Sequence, residues 1–210
     1  AAEEAAAKEA VARAAAAKQP AHDAIELPAA ELLTATNGFA AASEIGRGAY
    51  GVVHVATLLP SLPDAGAVAV KRLLDGSATA LEDLKREVQI LRKCSHANAL
   101  PLLGFCFDAP LCLVAPLCRG GNLEDRLFDT PAGRQRLGML GFTHDAPVLT
   151  WRERLRIVRD AMRGLVYLHT RVEGSKPRVL HRDVKPANLL LTEHLGVRLC
   201  DFGLAKGAEP

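Results

Sequence analysis

The run His181-Arg182-Asp183-Val184-Lys185-Pro186-Ala187-Asn188, followed thirteen residues later by Asp201-Phe202-Gly203, is the part of the chain best equipped for chemistry. Three oxygen-bearing side chains, Asp183, Asn188 and Asp201, bracket a short apolar stretch. Leu189-Leu190-Leu191 and Val197-Arg198-Leu199 read as strands, with Glu193-His194-Leu195-Gly196 turning between them. A hairpin of this kind carries Asn188 at one end and returns Asp201 to the same end. Carboxylate and amide oxygens converging there suit a hard cation such as Mg²⁺, which takes one or two carboxylates and leaves its other positions to phosphates and water.

Upstream, Ile45-Gly46-Arg47-Gly48-Ala49-Tyr50-Gly51 has a glycine spacing that dinucleotide-binding folds also use. Those folds need a helix after the last glycine, with its N-terminus on the pyrophosphate. Here Val52-Val53-His54-Val55-Ala56 follows, which is rich in β-branched residues and reads as a strand. The segment is therefore expected to be a glycine-tipped hairpin, able to approach phosphates without a Cβ in the way. Val68-Ala69-Val70-Lys71 is a short strand ending in a cation. In the next helix, expected over 80–93, Leu81, Leu84, Val88 and Leu91 form an apolar stripe with Glu87 beside it. A carboxylate at the edge of a buried face needs a partner, and Lys71 is the natural one.

Taken together and in this order, the glycine loop, Lys71, Glu87, Asp183 and Asp201 resemble a eukaryotic-type protein kinase domain. The lead-in Ile25-Glu26-Leu27-Pro28 to Phe39 and the run Asp201-Phe202-Gly203-Leu204-Ala205-Lys206 resemble plant receptor-like kinases of the Pelle and interleukin-receptor-associated type. The resemblance implies an α+β, two-lobed fold. A β-rich small lobe with one helix and the hinge would span 39–118, and a helical large lobe, incomplete at its C-terminus, would span 119–210. The implied reaction moves the γ-phosphoryl of ATP to a Ser or Thr hydroxyl of a protein substrate. Asp183 would take the hydroxyl proton, Lys185 would reach the γ-phosphate, and Lys71, paired with Glu87, would hold the α and β phosphates. Asn188 and Asp201 would hold Mg²⁺. Ile45, Gly46, Gly48, Gly51, Val53, Ala69, Lys71, Ala115, Leu117, Cys118 and Leu190 would bound the nucleotide. Ala115 falls at the gatekeeper position, where receptor-like kinases usually carry a bulkier residue. Pro116 keeps a carbonyl acceptor but has no N–H, which leaves the Cys118 N–H to donate to adenine. Arg182 matches kinases whose activation loop is switched by phosphorylation, and His181 is expected to pack near Phe202 and Leu91.

The rest of the chain bounds these readings. A formal charge of +2 over 210 residues does not point to nucleic acid or a membrane surface as the main partner. No apolar run is long enough to span a bilayer. Five cysteines without a C-x-x-C pair fit reduced thiols in a cytoplasmic setting, with Cys106, Cys112 and Cys118 acting as small apolar residues. Residues 1–24 are alanine-rich and expected to form a solvated helix. In the lead-in 25–38, Pro28 suits a helix start and Asn37-Gly38 its stop. Residues 129–148, with two prolines and three glycines, read as a long loop. Thr150-Trp151-Arg152-Glu153 is a capping box. Behind it Trp151, Leu155, Val158, Met162, Leu165 and Leu168 read as the face of a buried pillar helix. The chain stops seven residues past Gly203, so an activation segment and further large-lobe helices are not in it. The expectation is an incomplete kinase of reduced stability, attached in life to an upstream receptor portion or adaptor. The alternative is a kinase-derived module that binds nucleotide or a partner without phosphotransfer.

Overall fold

The computed structural model describes residues 24–48, 50–142, 147–172 and 176–208; the alanine-rich segment 1–23 and Ala49 of the glycine loop lie outside them. The lead-in forms β1 (Ile25–Glu26) and α1 (Ala29–Ala35), with Pro28 capping the helix and Asn37 and Gly38 at positive φ ending it. Then come β2 (Glu44–Arg47), β3 (Gly51–Ala56), β4 (Val68–Leu73), α2 (Ala78–Leu91), β5 (Gly104–Cys106) and β6 (Cys112–Pro116). These strands make one six-stranded sheet in the order β1-β5-β6-β4-β3-β2, antiparallel except for the β1–β5 pair. Sequence pattern had anticipated the glycine hairpin, β4 and α2, but neither β1 nor β5, whose two and three residues are too few to show a period.

Beyond the hinge lie α3 (Leu123–Leu127), α4 (Pro131–Met139), α5 (Trp151–His169), β7 (Arg178–Leu180), β8 (Leu189–Leu191), β9 (Val197–Leu199) and β10 (Lys206–Ala208). β8 and β9 form the expected hairpin, and β10 pairs with β7. The expectation of a structureless 129–148 is corrected by α4. Pro131 sits in its first turn, where a missing N–H costs nothing, and Thr130 Oγ1 accepts from Gly133 N at 3.0 Å. Gly133 acts here as a packing residue rather than a breaker: a Cβ would lie 2.9 Å from Thr130 Oγ1 and 3.1 Å from Asp125 Oδ1.

The capping box of α5 is present, with Thr150 Oγ1 accepting from Glu153 N and Glu153 Oε2 from Thr150 N. Its buried face meets the expected one only toward the C-terminal end, where Leu168 is buried and Leu165 packs against the core. Ile157, Asp160, Ala161, Gly164 and Leu168 are buried, whereas Trp151, Leu155, Val158 and Met162 are more than half exposed. Small residues decide which stripe turns inward. At Gly164 a Cβ would lie 2.6 Å from Leu199 Cδ1 and 2.8 Å from the Asn98 carbonyl, so the helix lies directly on β9. The larger stripe is left without a cover among the described residues.

Gly164→Ala should therefore destabilise the protein by about 1–3 kcal/mol, because its neighbours include backbone that cannot yield. Val158→Gln, on the open stripe, should change stability by no more than about 0.5 kcal/mol. Urea unfolding of both variants beside the wild type measures the difference, and equal losses would mean that the two faces are assigned wrongly.

Candidate nucleotide and phosphoryl-transfer site

The β8–β9 hairpin brings Asn188 and Asp201 together as anticipated. Leu189 faces Leu199 across the hairpin, and the residues just outside this pair are joined by Cys200 N donating to the Asn188 carbonyl at 3.0 Å. Asn188 is buried, and its Nδ2 donates to both the carbonyl and Oδ2 of Asp183, each at 2.8 Å. Lys185 Nζ donates to the same Oδ2 at 2.7 Å. That ammonium, with help from the Asn188 amide, holds the Asp183 carboxyl below the usual aspartate range. Asp183 is thus an ionised acceptor, oriented by two donors.

His181 is buried between the catalytic run and the hairpin end. Its Nε2 lies 2.9 Å from the Cys200 carbonyl, which fixes Nε2 as the donor and leaves Nδ1 to accept from Asp183 N at 3.3 Å. The ring packs on Phe202 with centroids 5.0 Å apart, and Leu91 belongs to the same core, as the sequence suggested. Arg182 and Asp201 both have a φ of 64°, a strained region for these residue types, so the backbone is bent on each side of this packed ring.

From the small lobe, β4 delivers Lys71 opposite Val53 of β3 and Leu113 of β6. Its direct partner is Asp201, with Nζ 2.7 Å from Oδ1. This corrects the expected ion pair with Glu87. The Glu87 carboxylate is buried on α2 as predicted, but it turns toward the Phe202 N–H and lies 3.6 Å from where a Gly203 Cβ would stand. Lys71 reaches Glu87 only at longer range because Asp201 is its direct partner, while Glu87 has a backbone donor to use. Burial opposes charge on Lys71, but Glu87 and Asp201 together more than offset it and hold the ammonium above its ordinary pKa. Burial raises the Glu87 pKa, with Lys71 and the Phe202 N–H pulling the other way.

The glycine hairpin closes through Gly48 N donating to Gly51 O at 2.9 Å. Gly46 and Gly48 have room for a Cβ, so neither is required by protein packing. Gly51 is: a Cβ there would lie 2.6 Å from the Arg72 carbonyl. Ile45 lies in β2 at an irregularity in its pairing with β3. Ala69 faces Ala115 across β4 and β6, and Val68 faces Pro116, so the strand runs straight into the hinge. Leu117 N is taken by the Ala67 carbonyl at 3.2 Å. The Cys118 N–H has no protein acceptor among the described residues, so it is free to donate. Leu190 is half-buried on β8, bridged to Asn122.

Whether these residues suit Mg²⁺ follows from their chemistry. Asn188 commits both amide hydrogens to Asp183 and so presents its Oδ1 without a protein donor, while Asp201 keeps Oδ2 free. An amide oxygen and a carboxylate are hard ligands, and among the described residues no cluster of three His, Cys, Asp or Glu could hold an ion unaided. The donor set fits a cation that arrives with phosphates. Sequence reasoning missed a further feature, a cavity of about 360 Å³ behind Phe202, lined by Arg86, Arg182 and Lys206 as well as Glu87. Its basic residues come from three separate segments, which no local pattern could have joined.

Comparison with known proteins decides the family. Residues 39–210 match the family model "Protein tyrosine and serine/threonine kinase". The chain belongs to the protein kinases. It is 37% identical over 187 residues to phytosulfokine receptor 1 of Arabidopsis thaliana, covering 88% of this chain and 17% of that protein. It is 36% identical over 182 residues to serine/threonine-protein kinase BRI1-like 2 of Arabidopsis thaliana, covering 86% of this chain and 14% of that protein. The same identity over 182 residues relates it to a brassinosteroid LRR receptor kinase of Solanum lycopersicum, again covering 86% and 14%. The chain thus spans less than a fifth of the length of these receptor-like relatives. No helix among the described residues is long and apolar enough to cross a membrane.

His181 gives a test of the site's construction. Burial lowers its pKa from the ordinary 6.5, so the unfolded chain binds the extra proton more readily. Its contribution to stability is complete above 6.5 and is lost as pH falls toward the folded-state value. His181→Phe should remove that part of the acid loss while lowering stability at neutral pH. Thermal midpoints measured between pH 7.5 and 5 would show a shallower decline for the variant, and parallel curves would count against a neutral, buried His181.

Proposed function

We propose that this domain transfers the γ-phosphoryl of ATP to Ser or Thr hydroxyls of a protein substrate. The single observation that carries the reading is the assembly of Asp183, Lys185, Asn188, Asp201 and Lys71 at one place, in a chain of the protein kinase family. Transfer of a phosphoryl group needs positioning and charge neutralisation more than covalent chemistry. Asp183, ionised and hydrogen-bonded on one oxygen, accepts the hydroxyl proton and orients the attacking oxygen. Lys185, hydrogen-bonded to Asp183, stands where it can reach a γ-phosphate as charge builds there. Lys71 is held by Asp201 and exchanges part of that contact for the α and β phosphates, while Glu87 steadies it from α2.

Asn188 and Asp201 would hold Mg²⁺, which when bound neutralises phosphate charge. Adenine sits between Ala69 and Leu190 against the hinge, accepting from the Cys118 N–H and donating to the Pro116 carbonyl; Leu117 flanks it. Ile45 and Val53 cover it from above, and Gly46, Gly48 and Gly51 let the hairpin backbone reach the phosphates. Ala115 leaves space behind the adenine. Arg182, which lines the cavity beside Phe202 together with Lys206, would receive a phosphate carried on an activation segment, while Arg86 there is taken by Asp83. By analogy with its receptor-like relatives, the domain works on the cytoplasmic side of a membrane, downstream of a receptor portion or adaptor.

Asp183→Asn and Lys71→Met should each lower phosphate incorporation into a generic Ser/Thr substrate by about a hundredfold or more, assayed in a protein carrying the whole kinase domain. Activity of the Asp183 variant within a few-fold of wild type would remove the assignment. Ala115 is tested separately. ATP analogues with a bulky group on the exocyclic nitrogen should bind the wild type, and Ala115→Tyr should exclude them while sparing ATP. Equal binding of the bulky analogue by both would show that the pocket behind adenine is not bounded by residue 115.

A further inference from the structure

The insertion between α3 and α5 is anchored with more care than a surface excursion requires. Asp125 of α3 is almost wholly buried, with its side chain 3% exposed, and it is held by three donors. Arg136 of α4 takes both carboxylate oxygens, through Nε at 2.8 Å and Nη2 at 2.5 Å, and Asn122 Nδ2 adds a bond of 2.8 Å. A bidentate guanidinium fixes orientation as well as distance. One turn away, Leu137 is buried over Gly121, whose φ is +76° and where a Cβ would lie 2.6 Å from Leu137 Cδ2. The hinge end that carries Gly121 is itself tied to β8, with Gly120 N donating to Leu191 O and Leu191 N to Gly121 O. Thus α4 is rigidly attached to the large lobe, on the floor side of the cleft.

α4 also comes close to β2 in the small lobe, with Cα atoms of the two elements within 8 Å of one another. That strand carries Ile45 and Gly46 and leads into the glycine hairpin, the roof of the same cleft. A helix fixed to the floor by a buried ion pair therefore comes close to the roof strand, adding a connection between the lobes beyond the hinge peptide. Nothing in the core of either lobe needs this contact.

We propose that α4 is a strap across the mouth of the nucleotide cleft, and that Arg136 and Asp125 are positioning residues which, by holding it against β2, set how fast nucleotide enters and leaves. The inference rests on the nucleotide reading given above. Neither residue touches the reacting atoms. Their effect is exerted through α4 on the roof strand, so opening of the lobes has to break or stretch the α4–β2 contact before nucleotide can pass. Motions of this sort commonly govern release in enzymes of this kind.

The test uses two variants. Arg136→Gln removes the fork, and the double variant Asp125→Asn with Arg136→Gln also removes the buried charge, which covers the case in which an unpaired Asp125 impairs folding. Two readouts are taken on the full chain. Backbone amide exchange without nucleotide should accelerate at residues 44–47 in the folded variants, while residues 104–106 of the same sheet keep their wild-type protection. Stopped-flow release of N-methylanthraniloyl-labelled ATP with Mg²⁺ should be faster in the variants by about threefold or more. Unchanged amide exchange at 44–47, or unchanged release, in a folded variant would overturn the proposal. Failure of the wild type to bind the labelled nucleotide would overturn the nucleotide reading and this proposal together, whereas binding with unchanged release would overturn the strap alone.

Discussion

The β8–β9 hairpin is the constraint on which the remaining arrangement depends, because it must be held in register against two separate parts of the chain. Asn98, in the loop after α2, accepts from Leu199 N at 3.0 Å and donates from its Nδ2 to the Val197 carbonyl at 2.9 Å, and Leu100 N adds a bond to Leu199 O at 2.8 Å. From beneath, α5 comes close enough for Gly164 to touch both Leu199 and Asn98. A slip of one residue would turn Leu189 and Leu199 outward and carry Asn188 away from Asp201. The site's geometry therefore follows from a helix glycine and a loop asparagine that perform no chemistry.

Within that frame the electrostatics are set by one ammonium facing two carboxylates. Lys71, Asp201 and Glu87 come from a strand, a hairpin end and a helix, and burial makes their charges costly unless they neutralise one another. Lys71 bonded to Asp201 leaves Glu87 to a backbone N–H and to the longer-range field of the same ammonium. Under the proposed function, phosphates would compete for Lys71 and a cation for Asp201, so the same sharing of charge could be redistributed.

Much of the site was legible in the sequence because its parts are short and locally coded. Hairpin, catalytic run, glycine turn and the burial of Glu87 beside an apolar stripe each follow from periodicity and residue type over fewer than fifteen residues. Legibility failed where meaning depends on partners distant in the chain. Pro131, Gly133 and Gly138 look like breakers, yet Pro131 begins a helix and Gly133 makes room for Asp125. On α5 the larger apolar stripe attracted the core assignment, while Ala161 and Gly164, with little hydrophobic signal, mark the true contact face. Cys106 and Cys112 face one another across β5 and β6, Cys118 lies in the hinge, and all three are buried, with burial pushing the Cys112 thiol up to about 12.

Polar groups in the two lobes share a pattern that apolar packing alone would not produce. His181, Asn98 and Asp125 are each set in protein surroundings, and each reaches two or more groups from different segments. Replacing any one of them alone by an apolar side chain of similar volume would leave its partners unpaired and lower stability. Uniqueness of position would be lost with it. An apolar contact tolerates sliding by an ångström, whereas the fork that Arg136 donates to buried Asp125, or the His181 ring accepting from one backbone group and donating to another, admits one geometry. Phosphoryl transfer is sensitive to displacements of that size. Directional bonds thus fix three places on which the proposed function would depend: the hairpin that carries Asn188 and Asp201, the loop that carries Asp183, and the attachment of α4 to α3.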